Sequence, residues 1–558
     1  METFGATLYS RCITSLVVAV FSGVVYVLVK AYKARSVVNH LRKQGLPMTE
    51  FNWITGHMLA IKAFIENLPP DAITNYIMTT MAFSLKKNAF YLDFWPLSEP
   101  ILVVTSPLLA SQLTQEFNPP KPNNIEAAFA YLCGGPNIFT MSDVSWKRWR
   151  SIFSPGFSSA NMLEQTAKIV DQCHIFCSKI RQCAREGEMF YLEEHTLRLT
   201  LDVIGIISMD THFNYQHEDS DMPKSLRGLI EWVSFGTEMN PFNRWTPKRP
   251  FMAAYYGHKI DRFINNELKK RYAERKASLS TNQGLKQLRH STRGKSVVAL
   301  ALDAYSAEEK SDSLDETFLY YARSQIRLFL FAGHDTTSST MVYLIHFLYL
   351  NSDCLARIRA EHNSVLGLDP VDTGNRLSDK PTLLNQLPYT TACIKETLRL
   401  FPPASSMRIG GPNTVLVDED GTRYPTEGCS VWALHLALQR NPDFWPSADK
   451  FIPERWLVGP EDPLHPVKGA WRPFEFGPRN CIGQALAIAE LKIMLAMTVR
   501  EFDFKNAYDE WDRLHPSKHI KTVLGDRAYQ VEGGGGGAHA ANKYPCRVYM
   551  AQNGKAGE

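Results

Sequence analysis

The stretch Phe474–Gly483 (FEFGPRNCIG) constrains the fold of this chain more than any other segment. Cys481 lies between Gly477 and Gly483, two residues that let the backbone pass close to a flat or bulky group. The apolar run Gln484–Val499 predicts a helix that begins directly after this loop. A cysteine just before a helix is placed where the dipole and the free N–H groups stabilise a thiolate.

Arg479 lies two residues before Cys481 and can reach an anionic group. A thiolate, a close backbone and a nearby cation together indicate a haem whose iron binds sulfur and whose propionates need a counter-charge. The alternative is a buried, inert cysteine in a loop that starts a helix. Four further motifs, in order along most of the chain, favour the haem site.

The stretch matches the haem-binding loop of the cytochrome P450 family, F-x-x-G-x-R-x-C-x-G, at every fixed position, so the chain resembles that family. The resemblance implies that Cys481 is the axial ligand of the iron of haem b, and that Phe474 and Arg479 contact the haem. It also implies a mainly α fold with a small β subdomain, the cytochrome P450 fold, over a catalytic domain of residues 46–558.

Two more positions resemble haem-contacting residues of the family. Trp146 and Arg150 are four residues apart, so on a helix they share one face. They match the motif W-x-x-x-R, whose two side chains approach a haem propionate. Arg408 matches the family position that meets the second propionate.

Residues from Ser313 to about Leu350 form a long helical pattern that opens with a capping box, Ser313-Leu314-Asp315-Glu316. At about 1.5 Å per residue this helix exceeds about 50 Å. Its second half is largely apolar, which leaves a membrane span as the alternative. A carboxylate near the bilayer centre costs about 2.5–3.5 kcal/mol, so the pattern favours a core helix that carries a site.

The middle of this helix, 332–337 (AGHDTT), matches the family motif A-G-x-D-T-T. The resemblance implies that Gly333 makes room for dioxygen, that the Thr336 hydroxyl hydrogen-bonds the bound oxygen, and that Asp335 relays protons. Thr336 and Asp335 are therefore the predicted catalytic pair.

A second motif is predicted to be structural. Glu396 and Arg399 are three residues apart and meet on one face of the helix that ends before Pro402-Pro403. A lone pair of this kind is usually a weak surface ion pair. The motif resembles the E-x-x-R of the family, in which a third member, here Arg455, braces the cysteine loop.

The N-terminus predicts a membrane anchor. The run Cys12–Val29 has no charged residue and spans about 27 Å as a helix. Lys30, Lys33 and Arg35 follow it where a signal peptide would have small residues, and their charge places the catalytic domain in the cytosol. We therefore predict an anchor and hinge over residues 1–45, with about 12–29 crossing the endoplasmic reticulum membrane once. A buried N-terminal helix is the alternative.

Composition limits the partners. The net charge of +4 is too small to indicate nucleic acid, and the scattered cysteines suggest reduced thiols. The sequence shows no flavin or nicotinamide signature, so electrons are expected from NADPH through a separate reductase. A docking face for that reductase is predicted at four basic residues, with a merely solvated face as the alternative: Lys147, Arg148, Lys468 and Arg472.

The strand predictions concern short segments. We expect 90–94 to pair with 101–104, and 415–417 to form a hairpin with 422–424 around an Asp-Gly turn. Segments 528–531 and 546–548 are predicted to pair, with Gly533–Gly537 as a loop at the pocket mouth. Ala404 to Ile409 and residues near Phe331 are predicted to line the substrate pocket.

The resemblance implies a monooxygenase that uses O2 to oxidise an apolar small molecule. The stretches 451–455 and 469–475 resemble fungal members of secondary metabolism, of the versicolorin/sterigmatocystin-pathway type, which implies a polyketide or terpenoid substrate. Two alternatives remain open from the residues alone. One is a haem-thiolate isomerase or dehydratase, and the other is a non-catalytic, membrane-anchored binder of apolar ligands.

Overall fold

The computed structural model describes residues 2–142, 144–233, 246–279, 294–308, 313–532 and 537–551. Helices account for most of this part of the chain. In order they are α1 Glu2–Lys43, α2 Met58–Ile65, α3 Thr74–Leu85, α4 Pro107–Ser111, α5 Asn123–Cys133, α6 Val144–Phe153, α7 Ser159–Glu164, α8 Thr166–Glu186, α9 Leu192–Met209, α10 Asp221–Trp232, α11 Arg249–Leu279, α12 Val297–Glu308, α13 Glu316–Leu350, α14 Ser352–Leu366, α15 Thr373–Asp379, α16 Pro388–Leu400, α17 His435–Arg440, α18 Gln484–Thr498 and α19 Tyr508–Leu514.

Among the described residues, short strands form four small sheets. The strands are β1 Ala89–Leu92, β2 Ile101–Val104, β3 Phe190–Tyr191, β4 Ser406–Ile409, β5 Val415–Val417, β6 Arg423–Pro425, β7 Ser430–Ala433, β8 Phe502–Asn506, β9 Gln530–Glu532, β10 Ala538–Ala540 and β11 Pro545–Met550. The largest sheet has the order β1-β2-β7-β4, with β2 and β7 parallel and the other pairs antiparallel. The predicted pairs β1–β2 and β5–β6 are confirmed, as is the mainly α fold with a small β part.

The C-terminal tail pairs differently from the prediction. Strand β9 pairs with β10, whereas β11 pairs with β8 and β3. The predicted pairing of 528–531 with 546–548 was therefore wrong. Strand β9 pairs with β10 because β10 follows only a few residues later and a short loop closes easily. Strand β11 instead forms five residue pairs with β8. Residues 533–536 of the predicted glycine loop lie outside the described residues. The polar, basic segment 276–295 is predicted from its composition to be an exposed loop, but 276–279 belong to α11, and 280–293 also lie outside the described residues.

Helix α13 is the long core helix that the pattern predicts. Its N-cap is Asp315, whose carboxylate accepts a hydrogen bond from the Phe318 N–H at 2.7 Å. The cap thus lies two residues after Ser313, the residue predicted to open the capping box. Most side chains of α13 are buried inside the protein, which excludes the membrane-span alternative. The helix packs along α9, where the Thr196 and Ser338 hydroxyls lie 2.7 Å apart.

Within the described residues, Arg11–Lys43 is the one helical segment long and apolar enough to cross a membrane. Its most apolar window has a mean hydropathy of 2.5, and none of that window is buried in the protein. The last turns of α1 join the folded domain. Arg35 is buried there, forms an ion pair with Asp93 at 2.5 Å, and donates hydrogen bonds to the carbonyls of Trp53 and Ile54.

Candidate active site

The cysteine loop is held by its own backbone and by a neighbouring segment. The Cys481 N–H donates to the Phe474 carbonyl at 2.8 Å, and the Asn480 N–H donates to the Gly477 carbonyl at 3.2 Å. Gly477 has a φ of +86°, and a Cβ there would lie 2.6 Å from the Thr114 carbonyl oxygen. A residue with a side chain would therefore displace the loop.

Cys481 is exposed to an internal cavity of about 280 Å³, which it lines together with residues of α13. Burial raises the pKa of its thiol. The N–H groups of Gly483 and Gln484 and the guanidinium of Arg150 act in the opposite direction. The helix start thus favours the thiolate as predicted, but burial has the larger effect and favours the protonated thiol. A bound metal ion stabilises a coordinating thiolate strongly enough to overcome this effect of burial.

Four cationic side chains line the same cavity: Lys121, Arg150, Arg408 and Arg479. Arg150 donates to the Asn480 side-chain oxygen at 2.9 Å. Arg408 is 1% exposed, and burial lowers its pKa to about 10. Burial, followed by repulsion from Arg408, also lowers the pKa of Lys121 well below its ordinary value. Lys121 was not predicted from the sequence, where the one feature that marks it is its position between Pro120 and Pro122.

The cavity has more positive than negative charge. Glu475 lines it, but its carboxylate is already engaged by His435 at 3.1 Å and by Arg472 at 2.7 Å. In the part of the chain that the structure describes, the buried Nε of Arg408 has no hydrogen-bond partner. A thiol, apolar walls and surplus cations are the donor set that a haem with two carboxylates requires, so these residues fit that group.

Helix α13 supplies the facing residues. Gly333 and Thr336 line the cavity together with Cys481. The Thr336 hydroxyl donates to the Ala332 carbonyl at 2.9 Å. A Cβ on Gly333 would lie 2.8 Å from the Ile204 side chain, so this glycine also permits the close packing of α9 on α13.

Two predicted residues are not among the described residues that line the cavity, Asp335 and Trp146. Successive residues of a helix point about 100° apart, and Asp335 turns away from Thr336 to accept a hydrogen bond from His539 at 3.0 Å. Trp146 donates to the Ile138 carbonyl at 3.0 Å, and its ring lies 5.0 Å from the Arg479 guanidinium. Trp146 is thus placed to orient Arg479.

The three predicted structural residues meet in the core. Arg399 binds Glu396 through two hydrogen bonds of 2.8 and 2.9 Å, and Arg455 donates to the same carboxylate at 3.2 Å. The link to the cysteine loop runs through Gln439. Its amide donates to the Arg399 carbonyl at 3.0 Å, and its side-chain oxygen accepts from the Arg472 N–H at 2.7 Å.

The rest of the cavity wall is mostly apolar. It includes Ile138, Phe139, Phe157, Ile204, Leu328 and Phe329. Of the predicted pocket segment, Ala404, Ser405, Ser406 and Arg408 line the cavity. Phe331 itself is not among the lining residues of the described chain, but its neighbour Ala332 is. Such a wall accommodates an apolar molecule with few polar groups to orient it.

The predicted docking face needs one correction. Arg472 is fully buried and forms an ion pair with Glu475 at 2.5 Å, so it cannot contact a partner protein. Its position just before the cysteine loop explains the error, since that segment turns inward to hold the loop. Lys147, Arg148 and Lys468 are exposed.

Comparison with known proteins gives a consistent result. The model of the cytochrome P450 family matches residues 77–532. Cytochrome P450 monooxygenase polC of Polytolypa hystricis is 38% identical, over 94% of this chain and 93% of its own length. Cytochrome P450 monooxygenase acrF of Aspergillus aculeatus is 30% identical, over 84% of this chain and 96% of its own. The crystal structure of the cytochrome P450DA heme domain shares the fold, with a TM-score of 0.68, 18% identity, and coverage of 91% of this chain and 98% of that one.

Fold and site therefore define a haem-thiolate enzyme. The chain belongs to the cytochrome P450 family, and it is a monooxygenase.

Proposed function

We propose that this monooxygenase takes electrons from NADPH through a separate reductase and oxidises an apolar small molecule of fungal secondary metabolism, a polyketide or a terpenoid. The observation that carries the proposal is that Cys481 and Thr336 line one cavity whose remaining wall is mostly apolar. The likeness of the chain to polC and acrF supports the pathway type.

Each residue of the site has a proposed task. Cys481 would hold the haem iron through its sulfur, and Arg150, Arg408, Arg479 and Lys121 would hold the haem carboxylates. When bound, a haem with a thiolate ligand supplies the oxygen activation that the side chains alone cannot. Thr336 lines the cavity and would pass on a proton, and Asp335, which precedes it in α13 and contacts His539, would supply that proton.

The anchor and the reductase complete the proposal. Helix α1 would cross the endoplasmic reticulum membrane, with the catalytic domain in the cytosol. Lys147, Arg148 and Lys468 would face the reductase. Charge-reversing substitution of Lys147 and Arg148 should slow electron transfer from the reductase while leaving turnover driven by added peroxide unchanged.

Oxygen labelling tests the reaction. Detergent-solubilised protein is given NADPH, a cytochrome P450 reductase and a panel of apolar polyketides and terpenoids under 18O2. The expected product carries one atom of 18O and forms only with NADPH. In Thr336→Ala the ratio of hydrogen peroxide to product should rise by at least about tenfold, while the haem spectrum stays unchanged. Product that forms without NADPH and without 18O would overturn the proposal in favour of an isomerase.

A further inference from the structure

A second charged cluster lies beside the cavity wall and joins three distant parts of the chain. The His539 Nε2 lies 3.0 Å from the Asp335 Oδ1 of α13, and the His539 Nδ1 lies 2.9 Å from the Glu193 Oε1 of α9. The His539 and Asp335 side chains are each 7% exposed, and the Glu193 side chain is 9% exposed. Three ionisable groups buried this deeply are costly unless they stabilise one another.

The tail is fixed to α13 at one-turn intervals, which holds the histidine in place. Asp335 binds His539, the Ser339 hydroxyl donates to the Ala538 carbonyl at 2.5 Å, and the Tyr343 hydroxyl donates to the His539 carbonyl at 3.3 Å. These helix residues are four apart and share one face. Strand β10 is thus docked along the same helix that carries Thr336.

Gly537 shows how closely this tail approaches the carboxylate. A Cβ on Gly537 would overlap the Asp335 Oδ2 and would lie 3.5 Å from the His539 Nε2. Only a glycine allows this contact. Within the described residues, the Asp335 Oδ2, the Glu193 Oε2 and the His539 Nδ1 are buried without a hydrogen-bond partner. Glu193 therefore contacts His539 as an ion pair, and His539 is the charged partner that both carboxylates share.

The charges follow from the surroundings. Burial lowers the pKa of His539, but the carboxylates of Asp335 and Glu193 outweigh burial and hold that pKa well above its ordinary value. Burial raises the pKa of Asp335, but His539 outweighs it and lowers that pKa. Burial lowers the pKa of His334, which favours its neutral form. Burial also raises the pKa of the nearby phenols well above its ordinary value, which further favours their neutral form, at Tyr343, Tyr508 and Tyr544.

We propose that His539 is a positioning residue for proton delivery: it holds the Asp335 carboxylate ionised and in one orientation, and Glu193 holds His539. An ionised carboxylate can accept a proton from water and release it toward Thr336, whereas a carboxyl that stays protonated cannot accept one. The inference rests on the proposed roles of Asp335 and Thr336. It goes beyond them because it makes the C-terminal tail part of oxygen activation.

The test uses the holoenzyme with NADPH and a cytochrome P450 reductase and needs no substrate. NADPH oxidation and hydrogen peroxide formation are followed from about pH 6 to about pH 8. In His539→Gln the buried Asp335 loses its counter-charge, and the pKa of Asp335 rises. The rate of NADPH oxidation should therefore be about fivefold lower at pH 6 than at pH 8. Wild type should vary less than about twofold over the same range.

Two further variants make the result specific. Glu193→Gln keeps the Asp335–His539 pair and should give a profile between wild type and His539→Gln. The matched control is His346→Gln, which removes a different buried histidine, located in α13, that pairs with Asp526 at 3.0 Å. His346→Gln should lower the free energy of unfolding, and its pH profile should be that of wild type.

Wild-type profiles in both His539→Gln and Glu193→Gln would overturn the inference. So would an equal change in His346→Gln, because that would show a general effect of loosening the tail. Failure of the proposed function is distinguishable, since it would appear in the wild-type protein as an absence of haem or of NADPH oxidation.

Discussion

Arg399 and Glu396 form a two-bonded ion pair in the core, with distances of 2.8 and 2.9 Å and no exposure of either side chain. The same carboxylate accepts hydrogen bonds from the Ile452 N–H and from the Trp456 indole. One carboxylate thus joins α16 to the segment that leads into the cysteine loop. Removing one partner leaves the other charge buried.

The first prediction concerns this pair. Arg399→Met should lower the free energy of unfolding by about 3–5 kcal/mol, because Glu396 stays buried with half of its counter-charge removed. Chemical denaturation measures the change. The matched control is Lys62→Met, which breaks a pair with Glu66 whose side chains are 72% and 64% exposed and which should cost almost nothing. Equal, small losses in the two variants would contradict the prediction.

Gly333 offers a test of packing that is separate from chemistry. Gly333→Ala gains helix propensity of about 1 kcal/mol, but its Cβ would lie 2.8 Å from the Ile204 side chain. Overpacking of a dense core costs about 1–3 kcal/mol, so a net loss of about 1 kcal/mol in the free energy of unfolding is expected. Adding Ile204→Val to Gly333→Ala should recover part of that loss. A stabilised single variant would show that α9 does not pack as closely as described.

Acid sensitivity should trace to Glu475. Burial raises the pKa of this carboxyl, but His435 and Arg472 outweigh burial and lower it from 4.5 to about 2. The folded state therefore binds this proton less readily than the unfolded state. The resulting stabilisation, about 3 kcal/mol, is complete above about pH 5 and is lost as the pH falls toward 2.

Thermal unfolding of wild type and Glu475→Gln between about pH 2.5 and about pH 7 measures this effect. The difference between the two proteins should be largest near neutral pH and should shrink steadily in acid. A difference that does not change with pH would rule out ionisation of Glu475 as its source. Glu66→Gln, at an exposed position, should match wild type throughout.

Short motifs predicted the parts of this protein that local sequence determines. The elements that carry Gly333, Thr336 and Cys481 were predicted from local sequence, and the resemblance of their two motifs to one family predicted that they share a cavity. The apolar pattern predicted the length of α13, although the predicted N-cap, Ser313, lies two residues before the observed one, Asp315.

Contacts between distant segments that no recognised motif marks could not be predicted. Lys121 reaches the cavity from a proline-flanked segment that has no periodicity, and His539 reaches Asp335 from a tail 204 residues later in the chain. Arg472 looks like a surface residue in sequence, yet it is buried by its pairing with Glu475. These placements depend on tertiary packing, which a sequence pattern does not encode.

The absorption spectrum of the reduced, CO-bound protein tests the central claim most directly, that Cys481 sulfur binds the haem iron. Wild type should show the red-shifted Soret band of a thiolate ligand, and so should Cys354→Ser, which changes a half-buried cysteine outside the cavity. Cys481→His should bind haem without that shift, as an imidazole ligand does. A red-shifted band that persists in Cys481→His, or no haem in wild type, would contradict the account.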